Sequence, residues 1–221
     1  MLARTPEPEL MDDPAQAAAY AQADFATAHG ALVAALVARL GPLRGRVLDL
    51  GCGPGDFSVR VARACPDCSI DGIDGAEAML AEGQRRLAAE GLTTRIRLHR
   101  ARLPGGPLPA TGYDAVISNS LLHHLPDPAV LWQALIATAA SGTRVFVADL
   151  ARPASTAEVD ALVERVASDE PAVLQRDFRA SLHAAFTPHE VRAQLAAAGL
   201  ALHVQTLDDH HWVAWGELGS P

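Results

Sequence analysis

Lysine is absent from this chain of 221 residues; all eighteen basic residues are arginine. Without that amine, Schiff-base chemistry and P-loop nucleotide binding are excluded. Clustered positive charge is also lacking. The arginines are scattered and the net charge is −8, which argues against nucleic acid or an anionic membrane as a partner. No apolar run approaches the ~20 residues of a membrane span. Only three cysteines are present, too few for a disulfide framework. Two of them form Cys65-Pro66-Asp67-Cys68. No second pair exists to complete a four-ligand zinc site, so this C-x-x-C is expected to be an ordinary turn between the first core helix and the second strand. The first thirteen residues carry Glu7, Glu9, Asp12 and Asp13 and lack an apolar stretch. They are expected to fray rather than to act as a signal peptide. The expected setting is the cytoplasm.

The length suits one α/β domain with a real core. Its most informative stretch is Val47-Leu48-Asp49-Leu50-Gly51-Cys52-Gly53-Pro54-Gly55-Asp56-Phe57-Ser58. An apolar run containing one acid turns through three glycines and enters a helical pattern. A dinucleotide site requires G-x-G-x-x-G. Here the third position of that fingerprint is Asp56, expected as the N-cap of the helix that follows, and the third glycine comes one residue early. The G-x-G-x-G form, with Asp49 two residues before it, resembles motif I of the class I S-adenosylmethionine-dependent methyltransferases.

Strands are expected at 46–50, 69–74, 95–99, 113–118, 144–150, 201–207 and 211–217, most of them separated by helical patterns. Repeated β-α units imply a mostly parallel sheet with helices on both faces. The short link Asp208-Asp209-His210 demands that the final strand run antiparallel. A seven-stranded sheet with its last strand reversed is the Rossmann-like class I methyltransferase fold that the motif implies. Two helices, separated at Gly30, are expected before the first strand. They divide the single domain into a helical lid (1–42), a cofactor-binding core (43–152), a helical insert capping the substrate (153–187), and a C-terminal helix with a strand hairpin (188–221).

The resemblance implies S-adenosylmethionine as cofactor. Gly51, Cys52, Gly53 and Gly55 would lie against its methionine part, with Asp49 favouring its cationic end. Asp74 at the end of strand 2 resembles the ribose-binding acid, with room beside it at Gly75. Met79 is placed to pack on the adenine. The acidic residue common after strand 3 is missing, and Arg102 stands in that stretch. Strand 4 runs into Asn119-Ser120-Leu121-Leu122-His123-His124, which resembles motif IV of small-molecule methyltransferases. Asn119 and Ser120 are expected at the cofactor, and Tyr20 of the lid closing over it. His123 or His124 is the expected base where the acceptor carries a proton that must leave. Asp149, Arg152, Arg179, His183 and His210 are the expected substrate contacts. No metal is expected, because Asp149, His124 and His210 offer no local ligand pair. The expected reaction is methyl transfer to an oxygen or nitrogen of a small molecule, with a homodimer allowed. Alternatives are an enzyme using the same cofactor without methyl transfer, a binding module without chemistry, and an NAD-dependent reductase. The last lacks the third fingerprint glycine and, without lysine, a Tyr-x-x-x-Lys pair.

Overall fold

The structure, a computed structural model, describes residues 2–7 and 10–219. Among the described residues seven strands form one sheet: β1 (Gly45–Leu50), β2 (Cys68–Asp74), β3 (Ile96–Arg100), β4 (Tyr113–Asn119), β5 (Ala139–Leu150), β6 (His203–Thr206) and β7 (His211–Glu217). Their order is β3-β2-β1-β4-β5-β7-β6. β7 is antiparallel to both its neighbours, and the pairs from β3 to β5 are parallel. The expected reversal of the last strand is present.

Both faces of the sheet are buried along its central strands, where alternation sends successive apolar side chains into two cores. Val47, Ile117, Phe146 and Val213 enter one. Leu48, Val116, Val147 and Trp212 enter the other. The first core is covered by α2 (Ala26–Leu40) and α3 (Asp56–Ala64) through residues such as Leu36 and Val61. The second is covered by α5 (Ala129–Thr138) and α8 (Pro188–Ala197) through Leu131, Leu135 and Val191. Each fully buried Leu, Ile or Phe contributes ~2 kcal/mol. α4 (Glu77–Glu90) follows β2, and α6 (Thr156–Ala167) and α7 (Ala172–Ala184) form the insert after β5. The insert has its own small core, built from Leu150, Val159, Leu162 and Leu182.

Three expectations differ from what the structure contains. The break between the N-terminal helices is not at Gly30. α1 (Pro14–Gln22) ends at Ala23, which turns extended, and Asp24 Oδ1 accepts from Ala26 N at 2.8 Å to start α2. Gly30 lies inside α2, where a Cβ would meet nothing; its cost is only the ~1 kcal/mol of a helical glycine. Asp56 is not the N-cap of α3. Gly55 holds that position in the left-handed region, and Asp56 is the first helical residue. Residues 2–7 do not fray. Leu2 N donates to Ala154 O and Thr5 N to His183 O, and Arg4 donates to Ala184 O, His123 O and Leu125 O. Residues 2–7 are a strap bound across the carboxyl edge of the sheet. No sequence periodicity marks a strap, so these tertiary contacts left no local signal.

Cys65 and Cys68 are buried free thiols within the first core. Among the described residues no single helix is long and apolar enough to cross a membrane.

Candidate functional site

The carboxyl ends of β1, β2 and β4 open on two adjoining cavities. β1 delivers Asp49 and β2 delivers Asp74 to the first. Gly51 then turns the chain at φ +74°, and a Cβ there would lie 2.8 Å from Leu121 Cβ. Gly53, at φ +51°, faces open space, so backbone is the surface a ligand meets. The pleat turns Asp49 towards α3, where Ser58 donates its hydroxyl to Oδ2 at 2.5 Å. Asp49 is 1% exposed, and its Oδ1 accepts no hydrogen bond. Burial pushes its pKa up to about 7, with Ser58 opposing the rise and Asp74 adding to it. An orphaned buried carboxylate oxygen at a cavity wall calls for a cationic or donor group.

Asp74 accepts from Gly53 N at 2.9 Å through Oδ2 and from Ala76 N at 2.8 Å through Oδ1. It thereby joins the glycine turn to the start of α4. Burial raises its pKa against these backbone donors. Each oxygen keeps a further acceptor site, which suits the two hydroxyls of a ribose. Cys52, Gly53, Gly75, Met79, Arg102, Asn119, Ser120 and Tyr20 line the same cleft, and no acid from the segment after β3 does. Leu10 and Met11 lie across it, with Leu10 against Gly75, and leave about 100 Å³.

The second cavity, about 530 Å³, lies between the strap, α1, α2 and the insert. The two share Asn119, Ser120 and His124, together with Tyr20 and His29. Ser120 has φ 55°, a left-handed conformation that costs a non-glycine residue ~1–2 kcal/mol and that clusters at functional sites. Asn119 Nδ2 lies 3.2 Å from His29 Nε2. His29 Nδ1 is 2.7 Å from Asp56 Oδ2, which also receives Arg60, while Arg86 reaches Oδ1. A buried chain of polar groups therefore ties α2 to the glycine turn and to β4. The wall of the second cavity is apolar at Phe25, Leu32, Leu174 and Phe178. Among the described residues it is acidic at Glu7, Asp24, Glu170 and Asp177, against one arginine, Arg176, which is paired with Asp177.

His123 and His124 sit in a single 3₁₀ turn, Leu122–His124, just beyond β4. His123 is 2% exposed. Its Nδ1 bonds Asp149 Oδ1, and Asp149 is as deeply buried. Burial opposes the imidazolium, but Asp149 and Glu7 outweigh it and raise the His123 pKa. Asp149 is held below the usual carboxylate range, its burial outweighed by His123. Glu7 of the strap completes the group, and its own burial raises it.

The other expected substrate contacts divide. His210 lines the second cavity, and Asp149 stands behind His123. Arg152, Arg179 and His183 line neither cavity. Arg152 donates to Leu2 O, Ala185 O and Glu190, clamping strap and insert to α8. Arg179 is spent on Asp160 at the surface. His183 is half-buried, and its carbonyl receives the strap. Sequence reasoning missed Glu7, His29 and Ser58. Ser58 alone carried a signal, one helical turn beyond the glycines on the face towards β1.

Residues 47–145 match the family model of a methyltransferase domain. An uncharacterized methyltransferase of Mycobacterium tuberculosis is 40% identical over 81 residues, 37% of this chain and 38% of that protein. The 27-O-demethylrifamycin SV methyltransferase of Amycolatopsis mediterranei is 29% identical over 161 residues, 72% of this chain and 56% of that one. The chain thus spans less than two thirds of either relative. Among solved structures, a SAM-dependent methyltransferase from Aquifex aeolicus superposes with a TM-score of 0.70 at 16% identity, covering 93% of this chain and 98% of that one. The plantazolicin methyltransferase BpumL, in complex with a triazolic desmethylPZN analog and SAH, does so at 0.70 and 13%, covering 94% and 92%. These likenesses show the fold.

Proposed function

We propose that the protein transfers a methyl group from S-adenosylmethionine to an oxygen or nitrogen of a small, neutral or cationic molecule held in the second cavity, a reading supported by the match of residues 47–145 to the methyltransferase-domain model and by the class I fold. The observation that carries this reading is the junction of the two cavities at Asn119, Ser120 and His124.

The polar lining of the first cleft suits the cofactor. Asp49 Oδ1 is an acceptor in want of a donor, which the α-ammonium supplies. The open face of Gly53 takes the methionine carboxylate against backbone N–H groups, Asp74 takes the ribose hydroxyls, and Met79 lines the adenine end. Leu10 and Met11 shift to make room. The bound cofactor supplies a methyl on a sulfonium, already a strong electrophile. The chain's part is to align the acceptor and exclude water. Tyr20, Phe25 and Phe178 dehydrate the cavity, while Asn119 and Ser120 orient groups at the junction. Where the acceptor carries a proton, the histidines beside Glu7 receive it, and His124 is the one facing both cavities.

The acidic lining favours neutral or cationic substrates and disfavours carboxylates. The name of the Amycolatopsis mediterranei relative, 27-O-demethylrifamycin SV methyltransferase, supports a small-molecule acceptor. The test is an incubation of the protein with cofactor carrying an isotopically labelled methyl and a metabolite library, read by mass spectrometry. Labelled products confined to anionic acceptors would contradict the charge argument. An absence of any labelled product, with cofactor bound, would remove the methyl-transfer reading.

A further inference from the structure

Glu7, His123 and His124 converge on one point at the wall of the second cavity. Glu7 Oε1 lies 3.4 Å from His123 Nε2 and 3.3 Å from His124 Nδ1. The carboxylate is 8% exposed, yet Oε1 accepts no hydrogen bond. Charge-assisted hydrogen bonds between such groups run ~2.7–2.9 Å, so both separations are too long. They match another arrangement. A tetrahedral zinc-type ion sits ~2.0–2.1 Å from each nitrogen or oxygen ligand, which puts the ligands ~3.4 Å from one another.

The surroundings agree. His123 Nδ1 is taken by Asp149, which leaves Nε2 turned towards Glu7. A carboxylate on the far nitrogen is the usual partner of a metal-bound imidazole, fixing its tautomer and its orientation. The second oxygen of Glu7 accepts from Ser181 at 3.3 Å, leaving Oε1 for the shared point. Two imidazoles and one carboxylate are a donor set for a first-row divalent cation, and three protein ligands leave one position open. All three ligand atoms fall within 4.8 Å of one another. The trio expected to be too scattered for a metal, Asp149, His124 and His210, is a different one. Asp149 is the outer partner here, and His210 bonds Asp209 instead.

We infer that Glu7, His123 and His124 bind a divalent cation of the zinc type, its open position facing the second cavity. The role of this ion rests on the reading that the acceptor enters that cavity. An acceptor hydroxyl on the ion gives its proton to water. Its oxygen then forms the bond to the methyl carbon with its own electron pair, while the carbon–sulfur bond breaks and sulfur keeps that pair. The ion acidifies the bound hydroxyl, so that water rather than an imidazole takes the proton.

A second cluster, Asp208, His210 and His211, serves as a control. Its members are joined by ordinary hydrogen bonds of 2.9–3.0 Å between His211 and Asp208. The full-length protein, stripped with chelator, is titrated with Co²⁺ and followed by the visible absorption of tetrahedral cobalt. One Co²⁺ per chain is expected, displaced by Zn²⁺. Glu7→Gln and His124→Ala should each weaken binding by about 100-fold or more, and Asp149→Asn by ~10–100-fold. Asp208→Asn should leave the cobalt spectrum as it is. Circular dichroism checks that each variant is folded. A wild type without the cobalt bands, or bands that survive Glu7→Gln in a folded protein, would overturn the inference. Methyl transfer at full rate in stripped protein that takes up no cobalt would also overturn it while leaving the proposed function standing. A cobalt site with no labelled product from any metabolite would keep the site and sink the function.

Discussion

Ser58 donates its hydroxyl to one oxygen of Asp49, and the other oxygen of that carboxylate is buried without a donor. This pair makes the end of β1 responsive to charge. Burial holds the Asp49 pKa at about 7, and a ligand ammonium would pull it down by favouring the carboxylate. Affinity for S-adenosylmethionine should therefore fall by up to about tenfold per pH unit below about 7 and flatten above it. Asp49→Asn should bind ~10–100-fold more weakly, with the pH dependence gone. Stability runs the opposite way. A carboxyl whose pKa is raised on folding favours the folded state at low pH, and that contribution is lost as pH rises through about 7. Above that pH the ligand-free Asp49→Asn variant should melt a few degrees higher than wild type. Calorimetric titration and thermal melts across the range check both signs, and a variant with unchanged affinity would show that Asp49 does not meet the ammonium.

Asp56 behaves in the opposite sense. His29, Arg60 and Arg86 all point at its carboxylate. Although burial opposes ionisation, the hydrogen bonds from His29 and Arg60 hold its pKa well below the usual carboxylate range. A depressed carboxyl stabilises the fold above its unfolded pKa, and that stability fades as pH falls below ~4. Asp56→Asn should cost on the order of 3 kcal/mol at neutral pH by leaving cations partly buried without their anion. The gap should narrow in acid, because wild type loses the same contribution there. Urea unfolding at two pH values measures it. A gap independent of pH would mean that packing, not charge, accounts for the loss.

What was legible in the sequence was what local pattern encodes. The strand, glycine turn and helix around Asp49 follow from periodicity and from the backbone freedom of Gly51 and Gly53. Asp74 follows from its place at the end of a strand, and the reversed β7 from a link too short for a crossover. Glu7 was not legible. Its burial against His123 and His124 depends on Arg4 reaching carbonyls more than a hundred residues away, and no window of sequence contains that. His29 reads as one more residue of an apolar helix until Asp56 is placed opposite it. Arg152 and Arg179 fail for the converse reason. A polar residue near the right end of the sheet looks available, but Arg152 is used on two backbone carbonyls and Glu190, and Arg179 on a surface carboxylate.

At Asp74, structural and binding contributions have to be separated, because the same carboxylate holds Gly53 N and Ala76 N. Asp74→Ala should weaken the cofactor by ~10–100-fold, the scale of one or two lost hydrogen bonds to a charged acceptor. A ribose-deoxygenated cofactor analogue separates the two effects. Wild type should discriminate against it, and Asp74→Ala should not. Equal discrimination in both proteins would place the ribose elsewhere and reduce Asp74 to a brace for the turn. The double-mutant logic holds because analogue and substitution remove the same contact from opposite sides.

Arg4 is the hinge on which the N-terminal contribution to the site turns. Its guanidinium donates to Ala184 O at 2.6 Å, His123 O at 2.9 Å and Leu125 O at 3.1 Å, and lies 4.1 Å from the centre of the Phe186 ring. One side chain thus joins the strap, the 3₁₀ turn and the end of the insert. Arg4→Ala leaves three carbonyls to find other donors and removes the cation from the ring, a loss of ~2–3 kcal/mol. Arg4→Lys should recover only part of it, since a single ammonium cannot span the same fork. The selective readout is hydrogen exchange at the Thr5 amide, bonded to His183 O. It should speed up in Arg4→Ala well beyond the core strands, because the strap opens without the sheet. Exchange at Thr5 rising no more than at Val116 or Val147 would mean that global unfolding accounts for it, and that the strap is secured by its own backbone bonds to Ala154 and His183 rather than by Arg4.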